Sequence, residues 1–157
     1  MATTASRDTT TGTLNEKEIE KFLVENFSQT VKSQVIIGKK RNDGVHVVDL
    51  MIGGETHTPK NRKRPISNHK GGQLISLKYQ EVSGTAEEKV PFEVMKLQDA
   101  IDDYGYESAI IVLCGDNGWS WKEEYLSERF KKRMKLLGPN VNIMSQEEFC
   151  RSIQKGN

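Results

Sequence analysis

The chain reads as an α/β protein with a mixed central sheet flanked by helices, and three stretches of sequence predict it. Residues 31–38 and 45–52 are rich in β-branched and apolar side chains and are joined through Asp43-Gly44, a strong hairpin signal. Residues 74–80, LISLKYQ, alternate as a strand does, with Ile75, Leu77 and Tyr79 on one face and Ser76, Lys78 and Gln80 on the other. Residues 108–114, SAIIVLC, form a short apolar run typical of a strand buried on both faces, and a helical stripe precedes them.

Taken in order, the first element is a helix over about 15–28, where Ile19, Phe22, Leu23 and Phe27 recur at helical spacing. Thr13 with Glu16, or Asn15 with Glu18, supplies a capping box at its start. Glu16 and Glu20 border its apolar stripe. The hairpin follows, and its return strand, VHVVDLMI, carries Asp49 inside an apolar run. Aspartate is depleted in strands and costly to bury alone, so Asp49 is either paired with a lysine at a sheet edge or a metal ligand. The metal ligand is the preferred reading.

Residues 53–71 form a polar connection with Lys60, Arg62, Lys63, Arg64 and Lys70 against one acid, Glu55. Loops of that length are usually functional or disordered. Five cations between two strands can track a phosphate backbone or simply face solvent. His57 and His69 lack metal-ligand spacing and read as loop residues. In the next strand, Lys78 stands between Ser76 and Gln80, a polar row that belongs at a solvated edge or facing a site. With a carboxylate just beyond it, the row suggests a metal-and-phosphate site.

Thr85 and Glu88 fit a capping box for a helix over about 86–102, striped by Val90, Val94, Leu97 and Ile101. Pro91 is foreign to a helix interior, so the helix starts near it or kinks there. After the buried strand, Gly115–Gly118 makes a turn. Ser120 with Glu123 caps a helix that runs to about Leu137 and stops at Gly138-Pro139. Trp119 and Trp121 beside that turn are core anchors or DNA-facing aromatics. A strand at 141–144 and a helix capped by Ser145 and Glu148, with Phe149 and Ile153 inward, close the chain.

Composition narrows the class. The 157 residues are 29% charged and 35% hydrophobic, long enough for a single domain with a real core. Residues 1–13 read as a flexible leader without a signal core, ahead of one domain over 14–157. No apolar run is long enough to cross a membrane. Cys114 and Cys150 are too few and scattered for a disulfide framework or a zinc site, which fits two reduced, buried thiols in a cytoplasmic protein. The formal net charge is +1, so affinity for polyanions must come from local clusters.

The order of elements, with GVHVVDLMI followed by LISLKYQ, resembles the PD-(D/E)XK nuclease superfamily, whose restriction-endonuclease-like core runs αβββαβ. The resemblance covers the chain from about residue 14 and implies a metal-dependent endonuclease acting on double-stranded DNA, of restriction or homing type. In that family the aspartate of the second strand binds a divalent metal, a role that falls on Asp49. The lysine of the third strand helps activate water, a role that falls on Lys78. The family usually has Asp or Glu two residues before that lysine; here Ser76 stands there. Some restriction endonucleases have Ser-x-Lys and take the acid from the following helix, which implies Glu93, with Glu88 as the alternative. A glutamate on the first helix, used by several members, corresponds to Glu20, and Gln80 shares the face of Lys78.

The resemblance further implies Mg2+, with Mn2+ as a substitute, held by Asp49, Glu93 and the Leu77 carbonyl. It implies a homodimer, because one domain has one centre and the duplex has two strands. Three other readings stand beside it. One is a structure-selective nuclease such as a Holliday-junction resolvase; the second is an inactive DNA-binding module, for which Ser76 argues; the third is a soluble α/β protein with no nucleic-acid role.

Overall fold

Helix α1 (Glu16–Asn26) starts where Asn15 accepts a hydrogen bond from the Glu18 N–H and Glu18 returns one to the Asn15 N–H. The capping box is in the Asn15 register, and Thr13 lies outside the described residues. The computed structural model describes residues 14–27, 29–79, 89–114, 124 and 126–156, the side chains of 154–156 excepted. Gln80, Thr85, Glu88, Trp119, Ser120 and Trp121 lie outside the described residues.

β1 (Val31–Lys39) and β2 (Val45–Ile52) pair antiparallel around a turn closed by Lys40 and Gly44. The connection that follows is more structured than a polar loop. It holds β3 (Thr56–His57) and β4 (Ile66–Ser67), a short hairpin whose second strand lies parallel to β1. Strands of two residues are too short to show a period, which is why the sequence reads there as a loop. β5 (Gln73–Tyr79) pairs antiparallel with β2 on one side and parallel with β6 (Ser108–Cys114) on the other. β7 (Val141–Ser145) completes a seven-stranded mixed sheet in the order β3-β4-β1-β2-β5-β6-β7.

Parallel neighbours need a crossover, and α2 (Val90–Tyr104) supplies it between β5 and β6. It begins beside Pro91, so the proline sits in the first turn, where its missing N–H costs nothing, and no kink is needed. α3 (Glu128–Leu137) is capped by Ser127, whose hydroxyl accepts from the Phe130 N–H, and ends at Gly138. α4 (Gln146–Gly156) is capped by the reciprocal bonds of Ser145 and Glu148.

The helices form two layers. Ile19, Phe22 and Leu23 of α1 join Phe149, Cys150 and Ile153 of α4 under one face of the sheet. Val90, Val94, Leu97 and Ile101 of α2 cover the other, with Phe130 and Met134 of α3 beside them. Both cysteines are buried. No described helix is long and apolar enough to cross a membrane.

One irregularity positions the site. Val35, Ile37 and Val48 pack under α2, whereas Val31, Leu50 and Ile52 pack under α1. Residues an even number apart should share a face, so both strands reverse their faces between these positions. The reversal falls at Gln34 and Asp49, and Gln34 has φ +52°. Asp49 therefore stands at a twist in the sheet rather than on either packed face.

A second special position is Gly38, with φ +148°, at the register shift of β1. A Cβ there would overlap the ring of Tyr104. That ring cannot easily retreat, because its hydroxyl accepts from the Lys39 N–H at 3.0 Å and its face stacks on His69. Gly38→Ala is expected to destabilise the fold by about 2–4 kcal/mol, through strain and overpacking together. Urea denaturation checks this, and an unchanged midpoint would show that the ring moves freely.

Candidate active site

β2 and β5 share only three ladder pairs, Leu50 with Ile75, Met51 with Leu74 and Ile52 with Gln73. Beyond them the two strands part, while β5 stays paired with β6 along its whole length. The gap would leave backbone donors of β5 without a strand partner. Asp49 fills it: the Leu77 N–H donates to Asp49 Oδ2 at 2.7 Å. The two backbone groups of a strand residue face the same neighbour. The Leu77 carbonyl therefore faces the same gap as the Asp49 carboxylate.

Ser76 and Lys78 project from β5 toward α2, and the first turn of α2 lies over them because the crossover returns along the sheet. Glu93, in that turn, is 6% exposed. Its Oε2 accepts from Ser76 Oγ at 2.9 Å, and its Oε1 faces Lys78 Nζ at 3.2 Å and Lys96 Nζ at 3.1 Å. A carboxylate this buried is tolerable only with such partners. The hydroxyl of Ser76, at the position where an acid was expected, thus binds a carboxylate delivered from α2.

The two acids are tuned in opposite directions. Burial pushes Asp49 up to about 6; its bond from Leu77 and the charge of Lys78 offset this only in part, and Glu16 and Glu93 add to it. Burial also pushes Glu93 up, but Lys78, Lys96 and the Ser76 hydroxyl outweigh it and hold the carboxyl below its ordinary range. His46, 4% exposed on β2, is pushed down to about 4, first by burial and then by Lys96. It is neutral at neutral pH.

Several of these residues carry only a weak signal in the sequence. Lys96 follows Glu93 by three residues, a spacing that pairs charges on a helix, and that spacing was the available signal. His46 stands inside an apolar strand run, again a visible oddity. On α1 the carboxylate whose charge reaches Asp49 is Glu16, which also accepts two bonds from Gln34 Nε2 at 2.8 Å. Glu20, one turn further on, is half-buried and has no hydrogen bond or ion pair among the described residues.

The donor set suits a hard divalent cation. Asp49 keeps Oδ1 free of the Leu77 bond, Glu93 adds a second carboxylate, and the Leu77 carbonyl faces the same gap. Mg2+ is typically held by one or two carboxylates and otherwise by water and phosphate oxygens. No cluster of three or more His, Cys, Asp or Glu that could hold a metal occurs among the described residues.

The basic connection lies at the β3 edge of the sheet, whereas the site lies between the interior strands β2 and β5. Lys60, Arg62, Lys63 and Arg64 are exposed on the turn between β3 and β4, and Lys70 faces Glu55 at 3.6 Å. Ile36 pairs with Val47 on one side and Ile66 on the other. The end of that turn is therefore two strand spacings, roughly 10 Å, across the sheet from the row beside Asp49.

Residues 4–156 match the model of one protein family, described as the PD-(D/E)XK nuclease superfamily domain. No curated protein and no solved structure matches the chain.

A carboxyl whose folded-state pKa lies above its unfolded value contributes stability at low pH and loses it as pH rises through the folded value. For Asp49 that loss runs from about pH 4 to above pH 6. Asp49→Asn keeps an acceptor for Leu77 and removes the buried charge. In EDTA it is expected to be more stable than the parent at pH 7.5 by about 1–3 kcal/mol, with the difference closing near pH 4. Thermal melts at the two pH values check this; a parent protein at least as stable at pH 7.5 would remove the burial explanation.

Proposed function

Because the chain belongs to the PD-(D/E)XK nuclease superfamily, we propose that it is a metal-dependent endonuclease hydrolysing phosphodiester bonds of double-stranded DNA. The observation that carries this reading is the buried Glu93 joined to Ser76 and Lys78. It supplies from a helix the carboxylate that the superfamily usually carries two residues before the lysine.

Asp49 and Glu93, with the Leu77 carbonyl, would hold the cation. When bound, it polarises the phosphoryl oxygen and lowers the pKa of a water molecule. Asp49 is fixed in position by the Leu77 N–H, so its free oxygen is preorganised. Lys78 orients the attacking water and stabilises charge that develops on the phosphoryl oxygens. Lys96 shares Glu93 with Lys78, so either ammonium can turn toward phosphate while the other keeps the carboxylate paired. Glu16 stands on the opposite side of Asp49, with Glu20 one turn along the same helix. Two copies of the chain serve the two strands of a duplex.

The direct test is incubation with supercoiled plasmid in Mg2+, in Mn2+ and in EDTA. Cleavage is expected with either metal and none in EDTA. Asp49→Ala and Lys78→Ala are each expected to lower the single-turnover rate by about 10²-fold or more, the scale of losing one transition-state contact. Circular dichroism reports whether both variants remain folded. A variant that cleaves at the parent rate would remove its residue from the centre. Binding without cleavage by the parent protein would favour an inactive DNA-binding module.

The exposed turn between β3 and β4 is proposed to hold the phosphate backbone. Replacing Lys60, Arg62, Lys63 and Arg64 by Gln is expected to weaken binding and flatten the slope of log affinity against log salt by about 3–4. Single-turnover cleavage at saturating protein should change little. An unaltered salt slope would make the turn a solvated surface, and a loss of saturating cleavage would bring it into the centre.

A further inference from the structure

A cleft of about 200 Å3 opens beside the centre, between the β1–β2 turn and the outer side of α2. Phe92 and Met95 give it an apolar wall, and Lys40, Arg41 and Lys96 give it a cationic rim. Phe92 is 59% exposed, an unusual position for a phenyl ring next to a buried ion cluster. Asp99 grips Arg41 through two bonds, at 2.6 and 3.0 Å, and so ties the turn to the helix. Lys96 belongs to both places: it lines the cleft, and its ammonium lies 3.1 Å from Glu93.

We propose that this cleft receives one unstacked nucleotide of the substrate strand, next to the phosphate that is cleaved. The inference rests on the nuclease reading and narrows its substrate. The cleft is smaller than the roughly 300–1,000 Å3 of sites for drug-sized ligands, which suits a single planar base. An exposed aromatic face is a stacking platform that accepts any base, and Lys40 and Lys96 neutralise the phosphates on either side. Continuity through Lys96 sets the base beside the scissile bond rather than at a remote site. Taking a base out of a duplex costs least where it is mismatched or already single-stranded. The preferred substrate is therefore DNA with an unpaired nucleotide at the cleaved bond.

The test compares a fully paired duplex with the same duplex carrying one mismatched base pair. Affinities are measured by fluorescence anisotropy with Ca2+, and cleavage is followed separately in Mg2+. The parent protein is expected to bind the mismatched duplex more tightly. Phe92→Ala should reduce that preference by roughly 5- to 150-fold, the range for losing one base–aromatic stack, and leave the paired duplex unaffected. Phe92→Trp should restore it. Equal affinity of the parent for both duplexes, or a preference that survives Phe92→Ala, would overturn the proposal while leaving the nuclease intact. Absence of both binding and cleavage with every DNA would overturn the nuclease reading itself, and this inference with it.

Discussion

The parting of β2 from β5 is the constraint on which the rest of the centre depends. A buried strand cannot leave its N–H groups without acceptors, and Asp49 answers that need for Leu77. The same act places a carboxylate at the reversal between the two packed faces, where burial raises its pKa. Removing the side chain would leave a buried donor unpaired, at a cost larger than an ordinary hydrogen bond contributes. The aspartate therefore has a structural role of its own, whatever chemistry it serves. The reversal of faces at Gln34 and Asp49 is what makes room for it.

Glu93 has the opposite setting. It is buried more deeply than Asp49, yet two ammonium groups and a hydroxyl keep it ionised. Asp49 has one N–H, the charge of Lys78 and two other carboxylates in its field. Positive charge is thus abundant on the α2 side of the centre and scarce on the side of Asp49. A cation at that gap would relieve the deficit, and its binding would be coupled to the loss of a proton from Asp49.

Much of the architecture was legible in particular residues. The hairpin expected from Asp43-Gly44 is present, although its turn is closed by Lys40 and Gly44. Only Asp43, at φ +64°, takes the left-handed conformation there, which Asp tolerates better than most residues. Asn15 with Glu18 and Ser145 with Glu148 marked helix starts because each pair satisfies two orphan donors. The alternation in 74–79 correctly separated Ile75 and Leu77 from Ser76 and Lys78, since a strand allows only two faces. The two-residue strands β3 and β4 carried no such signal. Nor did the reversal at Asp49, because an alternation that flips midway looks from sequence like an uninterrupted apolar run.

What the sequence alone determined is the set of local periods and caps, and hence the α/β order that gives a mixed sheet between helices. It also singled out Asp49 and Lys78, because an acid and a base inside strands are costly without a purpose. Which charges meet was decided only by tertiary structure. Glu93 faces Ser76, Lys78 and Lys96 because the crossover lays the first turn of α2 over the end of β5. Glu16 rather than Glu20 reaches Asp49 in charge because the packing angle of α1 selects one helical turn over the next. Those distances depend on how whole elements dock. Local sequence sets what each element is, and the packing of both sheet faces sets where its side chains arrive.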